Sequence, residues 1–409
     1  MSAVLNVTGM KNWRFERAWR LLATIVAAAL LGASAASAET AAPYEINTIL
    51  SLTGNIAFVG STQQKALKAL EAYVNRTGGI NGRPLSFVVA DDQSSAQTAV
   101  QLAQDMIAKN VPVIMGSSGP AQCAAITPLV AQHGPVLYCL ANGGVVVPGG
   151  YEFFTLTSYE AQAAVTVRYL RLRGLTRLAT IFSTDAGGQG AEKALKSALD
   201  LPENKSVTVV AREHFSPGDV TASAQLSAIR AGNPDALVAW ATGPPAGMLF
   251  RGARDLGIDL PTVTSPGNLT GAFFKQYAAM LPTNLIFAAV PYYASGAPTD
   301  AATTAALSVM TEALAANGTK PDMLTISAWD PAMLVVDTLR KLGPDVAAPK
   351  LRDYLANLQG WVGADGPYDF RAAPQRGVGE NNIVMVRWDI EKGSGVALSN
   401  FGGAPLTGK

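Results

Sequence analysis

The 409-residue chain has little of several residue types on which whole classes of protein depend. It contains two cysteines and two histidines, His133 and His214, too few for a disulfide scaffold, a cysteine-based zinc cluster or a histidine-rich metal site. Its 31 lysines and arginines are balanced by 30 acidic residues, and no basic cluster alternates with aromatic residues downstream of Arg20. We therefore expect no metal, no other cofactor and no nucleic-acid partner.

Motifs of common enzyme classes are missing as well. An exported α/β hydrolase needs G-x-S-x-G, and the nearest run, Gly116-Ser117-Ser118-Gly119, has a different spacing. A dinucleotide fingerprint fails because Gly188-Gln189-Gly190 is followed by Lys193 where a third glycine is required, and no Walker A sequence occurs. Both histidines are expected on the solvated surface. The sequence thus predicts no catalytic residue, and a hydrolase is kept only as an alternative to a binding protein.

The N-terminus has the pattern of an export signal. Four basic residues precede an apolar run over 21–32, and Ala36-Ser37-Ala38 follows it, which is the order of regions that a signal peptide requires. As a helix the run would span about 18 Å, short of the ~30 Å hydrocarbon core of a bilayer, so an anchor helix is the weaker alternative. We expect residues 1–38 to be removed and a soluble monomer to be released into the periplasm.

Beyond the signal, short apolar runs alternate with longer amphipathic ones. Strands are predicted over 45–50, 85–90, 111–115 and 135–139, with helices over 61–75, 96–109 and 121–133. After a break near 149–157 the rhythm restarts, with strands over 177–182, 207–211, 236–241, 262–264 and 285–290 and helices over 161–173, 191–199, 221–231 and 246–256. Long helices over 301–316 and 323–342 precede short strands near 368–370 and 383–389.

This alternation predicts right-handed βαβ crossovers and parallel sheets. A composition with 49% hydrophobic and 15% charged residues can bury a large core, which excludes disordered and fibrous proteins. The chain is longer than one core usually organises. We therefore predict two doubly wound α/β domains, with the late helices returning to one of them.

Several motifs carry a resemblance to a known family. They are Ser51-Leu52-Thr53-Gly54, Gly60, Asn75 with Gly78-Gly79-Ile80-Asn81-Gly82-Arg83, Asp91-Asp92, Gly116-Ser117-Ser118 and Pro234-Asp235. With gaps, this pattern covers nearly all of the chain after residue 38 and resembles the leucine/isoleucine/valine-binding protein family, the periplasmic solute receptors of ABC importers. The block around Gly78 and Arg83 is its specific part.

The resemblance implies a type I periplasmic binding protein, an α/β fold with two doubly wound parallel-sheet lobes joined by a three-strand hinge. Lobe 1 would comprise 44–157 plus 291–364, and lobe 2 would comprise 158–290 plus 365–400. It also implies lobe closure on a small-molecule carboxylate and delivery of that ligand to an ABC permease in the inner membrane. A ligand-sensing module of a receptor or regulator shares this fold and is the remaining alternative.

In an open parallel sheet the ligand crevice lies at the carboxyl ends of the strands. The loop of Ser117, Ser118 and Gly119 with Ala121 follows a predicted strand and opens a helix, so its amides and hydroxyls suit a carboxylate; an ordinary helix cap is the alternative.

A second candidate loop follows the next strand and contains Ala141, Asn142 and Gly143. The family holds a carboxylate here with backbone groups and a hydroxyl. The hydroxyl position falls on Gly143, so backbone amides alone would bind the carboxylate. The alternative is that this segment is a plain glycine turn.

The second lobe departs from the family pattern. The acidic residue that would pair with an amino-acid ammonium matches Asn268, and two expected tyrosines are replaced by Gly187, beside Asp185, and by Thr242-Gly243. Burying an ammonium without a carboxylate is costly, although Asp185 or Glu160 could supply the charge. A zwitterionic amino acid and an aromatic or keto acid therefore both stay open as ligands.

Aromatic residues near the predicted hinge and cleft are candidates for stacking on a ligand. They are Phe58, Tyr159, Tyr292 and Tyr293; the alternative for each is lobe core, which we favour for Phe58 and Tyr293. Our hypothesis is a small carboxylate with an apolar or aromatic body.

Two further pairs of residues allow structural expectations. Cys123 begins a predicted helix and Cys139 ends the following strand, so a disulfide between them is geometrically possible and export favours it; two free buried thiols are the alternative. Trp329-Asp330 occupies a place where the family has an aromatic-Asp pair, and we expect it to open a helix and pack within a lobe without touching ligand.

Overall fold

The computed structural model describes Met1 and residues 42–142, 144–295 and 299–406. The predicted signal over residues 1–38 lies, apart from Met1, outside the described residues, and so does Gly143. All elements given below belong to one compact unit, Pro43–Lys409. Among the residues that the structure describes, no helix is both long and apolar enough to span a membrane.

The first half of the chain forms a five-stranded parallel sheet of order β2-β1-β3-β4-β5. Its strands are β1 (Tyr44–Leu50), β2 (Leu85–Asp91), β3 (Val113–Met115), β4 (Val136–Cys139) and β5 (Glu152–Phe154). The helices between them are α1 (Ala57–Arg76), α2 (Ala96–Ala108) and α3 (Pro120–Val130). Strand β5 falls inside the predicted break, because three residues beginning with a glutamate give too little periodicity to distinguish a strand from a loop.

A second set of parallel strands follows. It comprises β6 (Arg177–Ser183), β7 (Thr208–Phe215), β8 (Ala236–Trp240), β9 (Thr262–Thr264) and β10 (Leu285–Ala289). The helices are α4 (Tyr159–Leu172), α5 (Ala186–Leu199), α6 (Ser223–Ala231), α7 (Pro244–Asp255) and α8 (Gly271–Tyr277).

The chain then returns to the first sheet. Helices α9 (Ala301–Ala316) and α10 (Met323–Leu342) pack against α1, and α11 (Ala348–Asn357) packs against β4. A hairpin of β11 (Gln359–Gly363) and β12 (Gly366–Asp369) contacts α9. The expected boundary between residues 364 and 365 falls in the turn of this hairpin.

Two late strands complete the second sheet. Strands β13 (Val384–Asp389) and β14 (Ser394–Ala397) add antiparallel to β10, which gives the order β14-β13-β10-β9-β8-β6-β7. The predicted two-lobe α/β fold is confirmed, with the difference that this sheet is mixed. We call the first sheet with α1–α3, α9–α11 and the hairpin lobe 1, and the second sheet with α4–α8 lobe 2. In the described part of the chain, segments after β5, β10 and β12 cross between the lobes.

The Trp329-Asp330 pair lies in the middle of α10, not at its start. The helix begins after its cap Asp322, whose carboxylate accepts the Thr325 amide at 2.8 Å, so the expectation that the pair opens a helix is wrong. Trp329 is buried beside Tyr73, with ring centroids 6.2 Å apart. Asp330 accepts the backbone amides of residues 364 and 365 at 2.8 Å each and thereby fixes the turn of the β11–β12 hairpin.

Candidate functional site

The loops that follow β1, β2 and β3 are joined by one buried carboxylate. Asp92 has no exposed surface and accepts hydrogen bonds from the hydroxyls of Ser51 (2.6 Å) and Ser117 and from the amide of Ser94 (2.9 Å). A buried carboxylate is stable when several donors surround it. The Ser117 hydroxyl is therefore committed to Asp92, and the loop after β3 can offer a ligand its backbone and its remaining hydroxyl.

The loop after β3 runs too close to β1 to carry a side chain at its first position. Gly116 has φ +114°, and a Cβ there would collide with the carbonyl oxygen of Ile49. Ser118, 4% exposed, accepts the Ser51 amide at 3.2 Å. Gly119 is the N-cap of α3, and Ala121 lies exposed in the first turn of that helix. The first amides of α3 thus point to the edge where the strands end.

The predicted disulfide is confirmed. Cys123 in α3 is bonded to Cys139 at the end of β4, with their Cα atoms 5.9 Å apart. The bond packs with Ala141 and Phe154 in a small buried cluster. It therefore ties the loop that opens α3 to the loop after β4, the two segments expected to hold a carboxylate.

Asn142 faces the other lobe. Its carbonyl oxygen accepts the hydroxyl of Tyr159 at 3.3 Å. The structure shows no hydrogen-bond partner among the described residues for its buried Oδ1. Tyr159 is the first residue of α4 and stands edge-on to Trp240, with centroids 6.1 Å apart. Burial, followed by the Asp185 carboxylate, raises the pKa of Tyr159 above its ordinary value, so its hydroxyl remains a donor.

The acidic candidate of lobe 2 caps a helix. Asp185 is the N-cap of α5 and accepts the amide of Gly188 at 2.8 Å and the hydroxyl of Ser183 at 3.0 Å. It is exposed. The other candidate, Glu160, is also exposed, in the first turn of α4. Neither carboxylate is buried in the way that a desolvated ammonium would require.

Asn268 holds the neighbouring loop of lobe 2 together. It is 1% exposed; its Oδ1 accepts the Gly243 amide at 2.8 Å, and its Nδ2 donates to the Ala241 carbonyl at 2.8 Å and the Thr264 hydroxyl at 3.3 Å. Its amide is therefore used by lobe 2 itself, and its role in this structure is to position the loop after β8. Thr242 in that loop is exposed, and its hydroxyl bonds Ser265 at 2.9 Å.

The strand ends of the two lobes are in contact. Gly243 has φ +73°, and a Cβ there would lie 3.2 Å from Cζ of Phe58 at the start of α1. Phe58 is 40% exposed, so the expectation that it belongs to a lobe core is wrong. Helices α3 and α5 also touch. The structure brings Asn142, Tyr159 and Asp185 together, and separately it brings Phe58 against Gly243.

Tyr292 and Tyr293 lie on the crossing after β10. Tyr293 is buried, as expected, and donates its hydroxyl to the Leu269 carbonyl at 2.5 Å. Tyr292 is half-buried, with its ring 5.0 Å from that of Tyr293, and it lines a cavity of about 860 Å³ between the lobes. Tyr293 lines the same cavity, and the other predicted ligand-binding residues in the described part of the chain do not.

Thr62 and Lys65 on α1 line the same cavity and were missed by the sequence reasoning. Thr62 lies one turn after Phe58 and donates to its carbonyl at 2.8 Å. The spacing 58, 62, 65 places all three residues on one face of α1, which is the signal that could have found them. The cavity therefore adjoins the contact between Phe58 and Gly243.

Arg376, on the crossing after β12, is a second residue that the sequence reasoning missed. It is 5% exposed, its guanidinium carbon lies 4.4 Å from the ring centroid of Phe154, and Nη2 lies 3.5 Å from the Gly144 carbonyl. Burial lowers the pKa of Arg376 to about 10, partly offset by Glu160 and other nearby groups. Because it is still charged at neutral pH, it adds a positive field beside the loop after β4.

Within the described residues, no cluster of histidine, cysteine and carboxylate side chains is arranged to hold a metal ion. The site thus consists of backbone amides, hydroxyls, aromatic rings and one buried cation. Such a set can bind an anion with an apolar body.

Comparison with known proteins assigns the chain to a family. Residues 43–394 match the family model described as periplasmic binding protein. The Leu/Ile/Val-binding protein homolog 3 of Brucella melitensis is 25% identical over 245 residues, 58% of this chain and 64% of that protein. The leucine-, isoleucine-, valine-, threonine-, and alanine-binding protein of Pseudomonas aeruginosa is 24% identical over 213 residues, 51% of this chain and 56% of that protein. Both alignments span less than two thirds of the relative's length.

Solved structures extend the likeness over the whole fold. An extracellular ligand-binding receptor from Rhodopseudomonas palustris HaA2 has a TM-score of 0.75 at 21% identity and covers 87% of this chain and 99% of its own. The branched-chain amino acid transporter substrate binding protein LivJ from Streptococcus pneumoniae, solved with isoleucine, has a TM-score of 0.71 at 20% identity and covers 86% and 97%. At such identities the likeness shows the fold, a type I two-lobed α/β architecture.

Proposed function

The chain belongs to the periplasmic binding protein family, and from that premise we propose that it captures a small organic carboxylate between its lobes for an ABC importer. The family, the relatives and the fold are those of substrate-binding proteins of the branched-chain amino acid transporter type, so the chain is a binding protein and not an enzyme. In the proposed cycle the chain is exported to the periplasm after loss of residues 1–38, works as a monomer and hands its ligand to an inner-membrane permease.

Lobe closure is the proposed mechanism. Residues 44–157 with the segment from 291 to the β11–β12 hairpin would move as one body, and residues 158–290 with the remaining C-terminal strands as the other. A ligand bound to one lobe gains contacts from the second only when the lobes close, so it shifts an open–closed equilibrium. The contact between Phe58 and Gly243 and the hydrogen bond from Tyr159 to Asn142 support this proposal, because they join the two lobes at the strand ends.

The proposed carboxylate site is on lobe 1. Its donors would be backbone amides of Ser118, Gly119 and Ala121 at the start of α3 and of the loop Ala141–Gly143, with the Ser118 hydroxyl. A helix N-terminus and its free amides favour an anion. The ligand body would meet Phe58 of lobe 1 and, across the cleft, Tyr159 and Thr242 of lobe 2, with Tyr292 and Asp185 at the margins.

The ligand would carry no ammonium group. The observation that carries this part of the proposal is Asn268, an uncharged residue whose amide is fully bonded within lobe 2. Asp185 is exposed and caps α5, so it is a poor partner for a desolvated cation. Buried Arg376 beside Gly144 supports net attraction for an anion. An aromatic acid or a keto acid fits this arrangement better than an amino acid.

Calorimetry on the protein lacking residues 1–38 tests the proposal with matched ligand pairs. Leucine and 4-methyl-2-oxopentanoate, like phenylalanine and phenylpyruvate, differ only in the amine that replaces the keto group. We expect micromolar binding of at least one keto or aromatic acid, since a few charge-assisted hydrogen bonds of about 1.5–3 kcal/mol each suffice. The corresponding amino acids should bind at least about tenfold more weakly.

Arg376→Gln sharpens this test. It should weaken binding of the acid about tenfold or more, because it removes the buried cation near the proposed carboxylate site. Arg371→Gln, an exposed arginine on the same crossing, is the matched control and should bind as wild type. Tight binding of leucine or valine without response to aromatic or keto acids would contradict the proposed ligand class.

A further inference from the structure

A second pocket, of about 250 Å³, lies on lobe 2 between helix α5 and the edge strand β7. Helix α5 packs on β6, which leaves a corner between the helix and the last strand of the sheet. The floor of the pocket is apolar and is made by Phe182, Leu195, Leu199 and Val209. None of the residues proposed for the cleft site lines it.

Three cations surround this floor. Lys193 and Lys196 project from α5, and Arg212 projects from β7. None of the three takes part in an ion pair between described residues. The acid that lines the pocket, Glu192, is paired with His214 at 2.8 Å. The lining therefore carries three cations against one carboxylate, and the rim has an excess of positive charge.

A buried hydroxyl also lines the pocket. Thr180 in β6 is 2% exposed and lies on the same face of that strand as Phe182. Its Oγ1 has no hydrogen-bond partner among the described residues.

We propose that this pocket is a second ligand site, which binds a small organic monocarboxylate with one ring or a branched aliphatic body. The apolar floor takes the body, and Lys193, Lys196 and Arg212 hold the carboxylate at the rim. The volume limits the ligand to roughly the size of a single aromatic ring with its acid group. The proposal does not depend on the ligand of the cleft, because the two sites share no residue.

A fluorine NMR titration of the protein lacking residues 1–38 tests this site, with 4-fluorobenzoate as the probe. 4-Fluorobenzyl alcohol is the neutral probe of the same size, and inorganic phosphate, followed by its displacement of 4-fluorobenzoate, is the anion without an apolar body. We expect 4-fluorobenzoate to bind in the millimolar range or tighter and both comparison probes to bind at least about tenfold more weakly, since each lacks one half of the recognition.

The variant Lys193→Gln/Arg212→Gln should remove one class of 4-fluorobenzoate site. Arg251→Gln/Lys275→Gln, which removes two exposed cations elsewhere on lobe 2, is the charge-matched control and should leave the titration unchanged. A crystal soaked with the probe should show it against Phe182 and Leu195.

Three results would overturn the proposal: no binding of 4-fluorobenzoate, equal binding of the neutral alcohol, or an unchanged titration in the double variant. Binding that survives in the double variant identifies the cleft as its source. If the cleft proposal fails, the double variant should still lose its 4-fluorobenzoate site. A failure of the cleft proposal and a failure of this one are therefore distinguishable.

Discussion

At the scale of single residues, buried side chains of this protein position the binding loops. Ser117 shows why the sequence could not reveal this. A Gly-Ser-Ser-Gly run before a helix predicts hydroxyl donors for a ligand, but the partner of Ser117 is Asp92, which is 25 positions away in the sequence. Only the fold decides whether such a hydroxyl faces the cleft or its own lobe. The sequence contains the family motif Asp91-Asp92, but it does not show that Asp92 joins three loops.

Asn268→Asp is expected to destabilise the protein and not to create an amino-acid site. The new carboxylate would face the Ala241 carbonyl oxygen, to which the amide now donates, and would be buried without a counterion. We expect a loss of roughly 2–4 kcal/mol in the free energy of unfolding at neutral pH, measured by urea denaturation. Asn55→Asp, the same change on an exposed loop, should have little effect. Tight leucine binding by a stable Asn268→Asp protein would show that this position faces the ligand.

Glu152 makes stability depend on pH. Burial raises the pKa of Glu152 to about 7, although the Thr127 hydroxyl and Arg376 favour its ionised form. A carboxyl whose pKa is raised in the folded state holds its proton more tightly there, so its contribution to stability is complete below the unfolded pKa and is lost as the pH rises towards 7. The loss is at most about 3 kcal/mol.

Glu152→Gln tests this because its side chain stays neutral at every pH. Relative to wild type, we expect the variant to gain stability progressively between pH 4.5 and 7, with the full difference at pH 8. Unfolding free energies measured by urea denaturation across this range check the expectation. Parallel pH profiles for the two proteins would mean that Glu152 is not responsible.

At the scale of elements, the sequence predicted many of the helices and strands and missed several whose local propensity is weak. The helices over 301–316 and 323–342 and the strand over 262–264 have the predicted bounds. The missed elements are β5, β11, β14, α8 and α11. Strand β14 reads Ser-Gly-Val-Ala and α11 begins Ala-Pro, so local propensity is weak in both, and their structure comes from pairing with β13 and packing against β4.

The disulfide is the element-scale feature whose removal has the clearest expected result. Cys123 and Cys139 are 16 residues apart, and opening a loop of this size costs roughly 3 kcal/mol on the entropic account. We expect the Cys123→Ala/Cys139→Ala variant to unfold at a lower urea concentration and to bind its ligand more weakly, because α3 and the loop after β4 are no longer tied. Reduced wild type is the control and should unfold like the variant. An identical midpoint in oxidised wild type and variant would contradict this.

At the scale of the whole molecule, the sequence indicated two lobes and several crossings but not how closely the lobes approach. Periodicity reports which face of an element is buried within its own lobe, and an aromatic residue at a lobe surface has the same pattern as one in a core. Phe58 was assigned to a core for this reason. The structure instead places it against Gly243 of the other lobe, so the contact that joins the lobes could come only from tertiary structure.

Small-angle scattering connects this contact to the proposed mechanism. The acid that binds best by calorimetry should lower the radius of gyration of the protein lacking residues 1–38, because closure brings the lobes together. Phe58→Ala removes a ring that reaches lobe 2, so it should weaken binding of the acid about tenfold. More ligand should then be needed for the same decrease in the radius of gyration. Leu201→Ala is the control, because it truncates an apolar side chain of similar exposure (41% against 40%) on the surface of lobe 2. It should bind the acid and change its radius of gyration as wild type does. If saturating ligand leaves the radius of gyration unchanged in all three proteins, binding does not close the lobes. The permease would then have to recognise the ligand-bound protein without a change in its shape.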